Sequence, residues 1–309
     1  MTAKPGQTHI AAILAWSWVL LAALPLLALV VRSGPLETVC EIAALVGKTR
    51  KELLFGLAQA GGSLAVALLV GLPGAWLVSR FRFPGRRLLR ALSVVPFCMP
   101  PILVALGFVL YYGKNGYLNR LAMFLFRLDQ PPIDILYSFF GLCLVHGFYN
   151  FPLILDMVGS SWEGIPSARS EAARSLGAGR VRAFIAGTLP SLAPAIAESS
   201  SLAFLFSFFS FIVVMIFGPL GASTPETEIF RLLRFSGDLP SASVLAIAQS
   251  LIALACISIF FAASRAVSTR SSDSREVEPP GRPGIKARIA IAFYAFILAV
   301  FFLAPLVSL

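Results

Sequence analysis

Apolar residues run through this chain in long blocks, near residues 10–31, 53–78, 91–112, 135–157, 191–217, 241–264 and 289–309, with short polar segments between them. They are blocks and not the one-sided stripes of surface helices. A run of about 18 or more apolar residues is what a bilayer core roughly 30 Å thick requires of a helix. Lipid offers the backbone no hydrogen-bond partner, so each block must satisfy its own peptide groups and is predicted to be helical. The pattern predicts an all-α, polytopic membrane helix bundle of about seven spans.

Composition agrees with that pattern. Hydrophobic residues make up 58% of the chain and charged residues 13%, against about 25% charged in ordinary globular domains, which argues against a water-soluble fold. The first block is longer than the apolar region of a secretory signal, and no small-residue cleavage site follows before Arg32, so it is read as a span. A net charge of +10 could suggest nucleic acid, but the basic residues sit in short loops, where they set membrane orientation instead. With the N-terminus in the cytoplasm, 16 basic residues fall inside (Lys4, five in 80–90, four in 169–182, six in 265–288) and nine outside. The expected location is the cell inner membrane, multi-pass and N-in, with lipid as the surrounding partner and no nucleic acid. Lys48–Lys51 is read as the headgroup-level start of the second span. Cys40, Cys98, Cys143 and Cys256 are scattered without paired spacing, which indicates neither a disulfide framework nor a metal site.

The loops divide the chain further. Residues 80–90 (RFRFPGRRLLR) form an arginine-dense turn broken by Pro84 and Gly85. The segment 159–190 reads as helix: Pro166 suits a first helical position, Ala168, Ala172, Ala173 and Leu176 recur at helical spacing, and Gly177 can end the helix in a left-handed cap. A second short helix, 180–189, then leads to Pro190 and the fifth span. Residues 265–288 are rich in Ser, Arg, Glu, Pro and Gly and read as a polar cytoplasmic linker. After it, 294–309 resembles 15–31, each an apolar span with one late proline. The expected organisation is a first six-helix half over 1–264, the linker over 265–288, and over 289–309 the first helix of a second half.

At 171–190 the chain reads EAARSLGAGRVRAFIAGTLP, which resembles the EAA loop of ABC importer permeases. Glu171, Ala172, Ala173, Gly177, Leu189 and Pro190 match that pattern in register, and Gly187 stands where it has Ile. The stretches LVSRFRFPGRRLLRAL, VPFCMPPILVALGFVLYYGKNGYLN, LVHGFYNFPLIL and TPETEIFRLLRFSGDLPSASVLAIAQ resemble the permeases of iron(III) and thiamine importers, over roughly residues 50–265. The resemblance implies a type I importer bundle and a coupling helix that docks on a cytoplasmic ATPase dimer. It also implies cargo delivered by a periplasmic binding protein, iron(III) before thiamine or another small solute, and ATP bound on the partner with no cofactor in this chain.

Other residues admit plainer roles beside functional ones. Gly47-Lys48-Thr49 could close a phosphate loop, but the first glycine of that motif would fall on Ile42 and no strand precedes it. His146 and Asn150, one turn apart in the fourth span, suit either an interhelical hydrogen bond or a watery transport path. Glu198, followed by three serines in the fifth span, suits the path, its gate or a structural bond. Gly56 with Ala60 and Gly61 with Ala65 place small residues four apart for helix packing. No catalytic constellation is visible in a loop, so the chain reads as a transport component and not an enzyme. A secondary transporter or channel is the rival class, and it would lack the docking loop.

Overall fold

The computed structural model describes Leu24 and residues 47–166, 168–268 and 281–309. Apart from Leu24, the predicted first span lies outside the described residues, as do Cys40 and positions 269–280 of the linker. Among the described residues the regular elements are all helical, and five helical runs are long and apolar enough to cross a membrane: Arg50–Arg80, Phe139–Glu163, Val181–Phe208, Leu239–Ala262 and Ile285–Val307. We number the helices α1 (Arg50–Arg80), α2 (Arg86–Cys98), α3 (Pro101–Tyr112), α4 (Tyr117–Phe126), α5 (Phe139–Glu163), α6 (Ala168–Ser175), α7 (Arg180–Ala183), α8 (Leu189–Phe208), α9 (Ile212–Phe217), α10 (Pro225–Arg231), α11 (Leu239–Ser268), α12 (Ile285–Ile297) and α13 (Ala304–Val307).

Two apolar blocks read as single spans are each divided. The block 91–112 breaks between α2 and α3 at Met99 and Pro100, where consecutive prolines remove two backbone donors and bias the preceding residue away from helix. The carbonyls left over are served by a side chain: the Tyr149 hydroxyl lies 3.1 Å from Met99 O and 3.4 Å from Phe97 O. The block 191–217 breaks at Phe209–Phe211 between α8 and α9, without a proline or glycine at the break.

Prolines elsewhere are absorbed without a break. A π-helical turn, Phe184–Thr188, joins α7 to α8 just before Pro190, and another, Leu298–Leu303, joins α12 to α13 just before Pro305. In each the following N–H reaches back five residues, Leu189 to Phe184 O and Ala304 to Ala299 O. The wider turn accommodates a ring that would otherwise clash with a carbonyl one α-turn back. The second short helix expected over 180–189 therefore does not stop at Pro190 but runs on into the membrane span.

The chain forms two compact units. The smaller contains residues 47–54 and Thr224–Ile252 among those described. Its core is Leu53, Leu232, Ala242 and Leu245. Thr224 opens α10 with a reciprocal capping box to Thr227, and Asp238 accepts the Ser241 N–H at 3.1 Å at the start of α11. Gln249 donates to Glu226 at 2.8 Å.

The larger unit, Phe55–Ser223 with Ala253–Leu309, is built around α5. Ser138 caps α5 by accepting from Gly141 N at 3.1 Å. Its Phe148 and Phe151 meet Phe302 at ring-centroid distances of 5.3 and 5.2 Å, and Phe148 meets Phe108 at 5.0 Å. Inside lipid such contacts act through close packing more than through water exclusion. The helical run beginning at Ile285 is bonded to its neighbours: Tyr294 donates to Val70 O (3.1 Å), Tyr112 to Phe301 O (2.9 Å) and Ser308 to Gly107 O (3.2 Å). Glycines permit the closest approaches. A Cβ on Gly71 would stand 2.5 Å from Ile154 Cβ, and one on Gly74 only 2.1 Å from the Tyr294 hydroxyl oxygen. The small pair Gly61 and Ala65, expected at a helix interface, is exposed instead, with nothing within 4 Å of a Cβ on Gly61. The face of α1 that packs closely carries Gly71 and Gly74.

Beyond the spans, Asn119 is fully buried and pins the segment after α4: its amide donates to Gly113 O (2.9 Å) and Ile133 O (2.8 Å) and accepts from Ile133 N (2.9 Å). At the end of α5, Glu163 pairs with both Arg86 and Arg90, the latter at 2.7 Å, and Arg86 Nε donates to Val78 O at 2.6 Å. This cluster ties α1, α2 and α5 together next to the segment that follows.

Candidate functional site: the loop between α5 and α8

The loop leaves α5 through Gly164, and Pro166 precedes α6, which begins at Ala168, two residues later than a first-position proline would place it. At its far end α6 closes with the two bonds of a Schellman cap. Ala178 N–H reaches Ala173 O at 3.0 Å and Gly177 N–H reaches Arg174 O at 2.9 Å. The cap requires the left-handed backbone of Gly177, whose φ is +86°. That turn redirects the chain into α7, the π turn and α8, with Leu189 and Pro190 at the start of α8 and inside the run Val181–Phe208 that is long and apolar enough to cross a membrane.

The loop presents apolar side chains to the outside. Leu176 is 89% exposed, Val181 72% and Ile185 53%. Glu171 is also exposed, its carbonyl accepting from Ser175 Oγ at 3.0 Å, while Ala173 is half-buried. Behind them Ala183, Gly187 and Thr188 are buried, and Trp162 at the end of α5 packs on Phe184 with ring centroids 5.7 Å apart. The loop is thus backed by α5, and its apolar front has no cover among the described residues. Gly187, which departs from the family pattern, sits inside the π turn.

A second polar cluster lies deep between α1 and α5. Gln59 Nε2 is 2.9 Å from Ser63 Oγ and 2.8 Å from His146 Nδ1, Ser63 donates to Gln59 O at 2.7 Å, and the Cys143 thiol lies 3.6 Å from the same carbonyl. His146 Nδ1 is also 3.1 Å from Leu142 O. The Gln59 amide nitrogen can only donate and the Leu142 carbonyl can only accept, so Nδ1 serves one or the other according to the ring's tautomer. Nε2 has no partner among the described residues. His146 lines a cavity of about 410 Å³ with Phe97, Pro101, Tyr149, Phe206 and Ser210, at the breaks that divide α2 from α3 and α8 from α9.

Asn150, one turn on, donates to Ser207 Oγ of α8 at 3.0 Å, and its Oδ1 has no partner among the described residues. Both residues of the predicted pair are therefore buried and bonded between helices. Glu198 does not join them: it is exposed on α8, whereas its neighbours Ser199 and Ser200 are buried. Gln59 was missed in the sequence, although a glutamine inside a long apolar run is itself a signal that a polar partner exists.

These features define a helical membrane bundle with a structured loop between α5 and α8 and, at its helix breaks, a largely apolar pocket that His146 lines. Residues 65–273 match the family described as binding-protein-dependent transport system inner membrane component, and the chain belongs to that family, the inner-membrane permeases of ABC importers. The chain is 32% identical to the sulfate transport system permease protein CysT of Salmonella typhimurium over 192 residues, 62% of this chain and 66% of that protein. It is 33% identical to the molybdenum transport system permease protein ModB of Escherichia coli over 203 residues, 64% of this chain and 85% of the relative. A putative 2-aminoethylphosphonate transport system permease protein, PhnU of Salmonella typhi, is 28% identical over 210 residues, 68% of this chain and 70% of that one. The matched stretch thus spans just under two thirds of the sulfate permease. Among solved structures, a bacterial ABC transporter involved in the import of the acidic polysaccharide alginate shares the fold, with a TM-score of 0.63 at 17% identity over 84% of this chain and 99% of that one.

Proposed function

We propose that this chain is the membrane-spanning permease subunit of an ABC importer, that α6 and its Gly177 cap dock on a cytoplasmic ATPase dimer, and that a periplasmic binding protein delivers the cargo. The observation that carries this reading is the Schellman-capped α6 with Leu176 bare at its end, a short helix followed by apolar side chains that have no cover among the described residues. ATP is hydrolysed on the partner, and its binding energy reaches the spans through the Trp162 and Phe184 contact and the Glu163 cluster. In alternating access the bundle cycles between outward and inward states, biased by differential binding of ATP and cargo, so no residue here needs to make or break a bond. A solved alginate transporter in complex with a ligand-bound periplasmic protein supports the delivery step by likeness of fold.

For the cargo, the relatives are named for sulfate, molybdenum and 2-aminoethylphosphonate, which supports a small oxyanion. The iron(III) reading, first on the sequence alone, rests on the four permease-like stretches and becomes the second candidate. Uptake of labelled sulfate, molybdate, iron(III) and thiamine by cells with and without the gene separates them. Loss of oxyanion uptake alone is expected. Loss of iron uptake alone overturns the cargo but not the permease, and unchanged uptake of every solute tested, in cells shown to make the ATPase and binding protein, overturns both.

A further inference from the structure

Between α2 and the helical run beginning at Ile285 lies a narrow cleft of about 280 Å³ with an almost wholly apolar lining. Leu88 and Leu92 form one wall, Ala295 and Ala299 the other, and Phe148 and Phe151 close it at the back. It shares Phe83, Pro84 and Ile291 with a wider mouth of about 620 Å³, where Arg82, Arg282 and Arg288 stand together. The chain holds this mouth in shape through its backbone. Phe81 pairs with Gly281, Arg82 N–H donating to Gly281 O at 2.9 Å and Gly281 N–H to Arg80 O at 3.1 Å. Segments far apart in the chain are thereby clasped so that Arg82 and Arg282 open on one space.

We propose that this cleft binds an anionic phospholipid, with its phosphate on Arg82, Arg282 and Arg288 and an acyl chain lying between Leu88 and Ala299. Three observations point to a lipid and not to another occupant. The three guanidiniums are exposed, and among the described residues no carboxylate pairs with them, whereas the neighbouring Arg86 and Arg90 are both held by Glu163. The charge lies at the end of a membrane-spanning helix, at headgroup level, while the cleft below has no polar partner for water. Basic pockets between spans with apolar depth beneath them suit one molecule with an anionic head and a hydrocarbon tail. A free phosphate fills only the mouth, and an apolar helix of a second chain leaves the charges unmatched.

The test uses the full chain purified in a neutral detergent and titrated with phosphatidylglycerol, phosphatidylcholine, short-chain dihexanoyl phosphatidylglycerol and inorganic phosphate, with thermal stability and native mass spectrometry as readouts. Long-chain phosphatidylglycerol is expected to raise the melting temperature and remain bound, and the other three to do neither. Replacing the arginines together (Arg82→Gln, Arg282→Gln, Arg288→Gln) should weaken binding about fivefold for each, or about 100-fold in all. Replacing Lys51, Arg120 and Arg127 by Gln, an equal loss of charge elsewhere, should leave it unchanged. Ala299→Trp, which fills the cleft and spares the charges, should block the lipid as well. Equal binding of the two long-chain lipids, selectivity that survives the triple arginine variant, or stabilisation by phosphate alone overturns the proposal.

Discussion

The Asn150 amide of α5 donates to the Ser207 hydroxyl of α8 across 3.0 Å, and Ser207 in turn donates to Ala203 O at 2.9 Å. Asn150 Oδ1 already lacks a partner among the described residues, so removing Ser207 takes away the partner of the amide nitrogen as well. Interhelical bonds of this kind contribute about 0.6 kcal/mol and up to about 1.7 in membrane bundles. Ser207→Ala should lower stability in detergent by about that amount while insertion is unchanged, and Asn150→Ala in the same background should add little. Additive losses in the double-mutant cycle would show that the two side chains act separately.

Gly71 and Gly61 offer a paired test of packing. Both lie on α1, yet a Cβ at position 71 meets Ile154 Cβ at 2.5 Å and one at position 61 meets nothing within 4 Å. Gly71→Ala is expected to destabilise by about 1–3 kcal/mol through overpacking, and Gly61→Ala to be neutral or stabilising through helix propensity. Equal melting temperatures for the two variants would contradict the arrangement of α1 on α5.

Asp238 carries a pH dependence. The nearby Ser241 side chain, then the Ser241 N–H, with a smaller contribution from Lys48, hold its carboxyl below the usual range. The Ser241 hydroxyl makes no bond of proper geometry, so the N–H at 3.1 Å is the contact that matters. A carboxyl whose folded pKa is depressed contributes stability above its unfolded value, near 3.9, and loses it as pH falls through the folded value. Asp238→Ala should cost about 1 kcal/mol at pH 7 as a lost helix cap, and the gap from wild type should narrow below about pH 4. A gap of the same size at pH 3 and pH 7 would remove the carboxylate from the account.

Orientation is testable with single cysteines in a background lacking Cys40, Cys98, Cys143 and Cys256. Asn115→Cys, beyond α3, should react with an impermeant thiol reagent in intact cells, and Leu176→Cys only after the membrane is opened. Labelling of position 176 from outside would invert the proposed topology.

The sequence announced the bundle because lipid forces helices wherever apolar blocks are long enough, and Gly177 was legible because only glycine sits easily in the left-handed cap that ends α6. The divided spans were harder to see. Met99-Pro100-Pro101 carries a local signal for its break, whereas Phe209–Phe211 is apolar on both sides and breaks without a proline or glycine. The partner of His146 could not be read from α5, because Gln59 lies 87 residues away. The same holds for the glycine face of α1, where the choice of Gly71 over Gly61 depends on which side meets Ile154. Glu198, which suits the path, its gate or a structural bond, falls on the exposed side of α8 beside the buried Ser199 and Ser200.

The central claim is that α6 and its cap transmit ATP binding to the membrane spans. Permease, ATPase and binding protein reconstituted together report it most directly, through ATP hydrolysis with and without loaded binding protein, for wild type and for Gly177→Val. Gly177 has φ +86° with nothing within 4 Å of where a Cβ would stand, so valine strains the cap without a clash elsewhere. The account predicts that the loaded binding protein stimulates hydrolysis several-fold in wild type, that Gly177→Val abolishes the stimulation while the permease still inserts, and that Leu176→Cys cross-links to the ATPase. Full stimulation in Gly177→Val, with no cross-link from position 176, would contradict it.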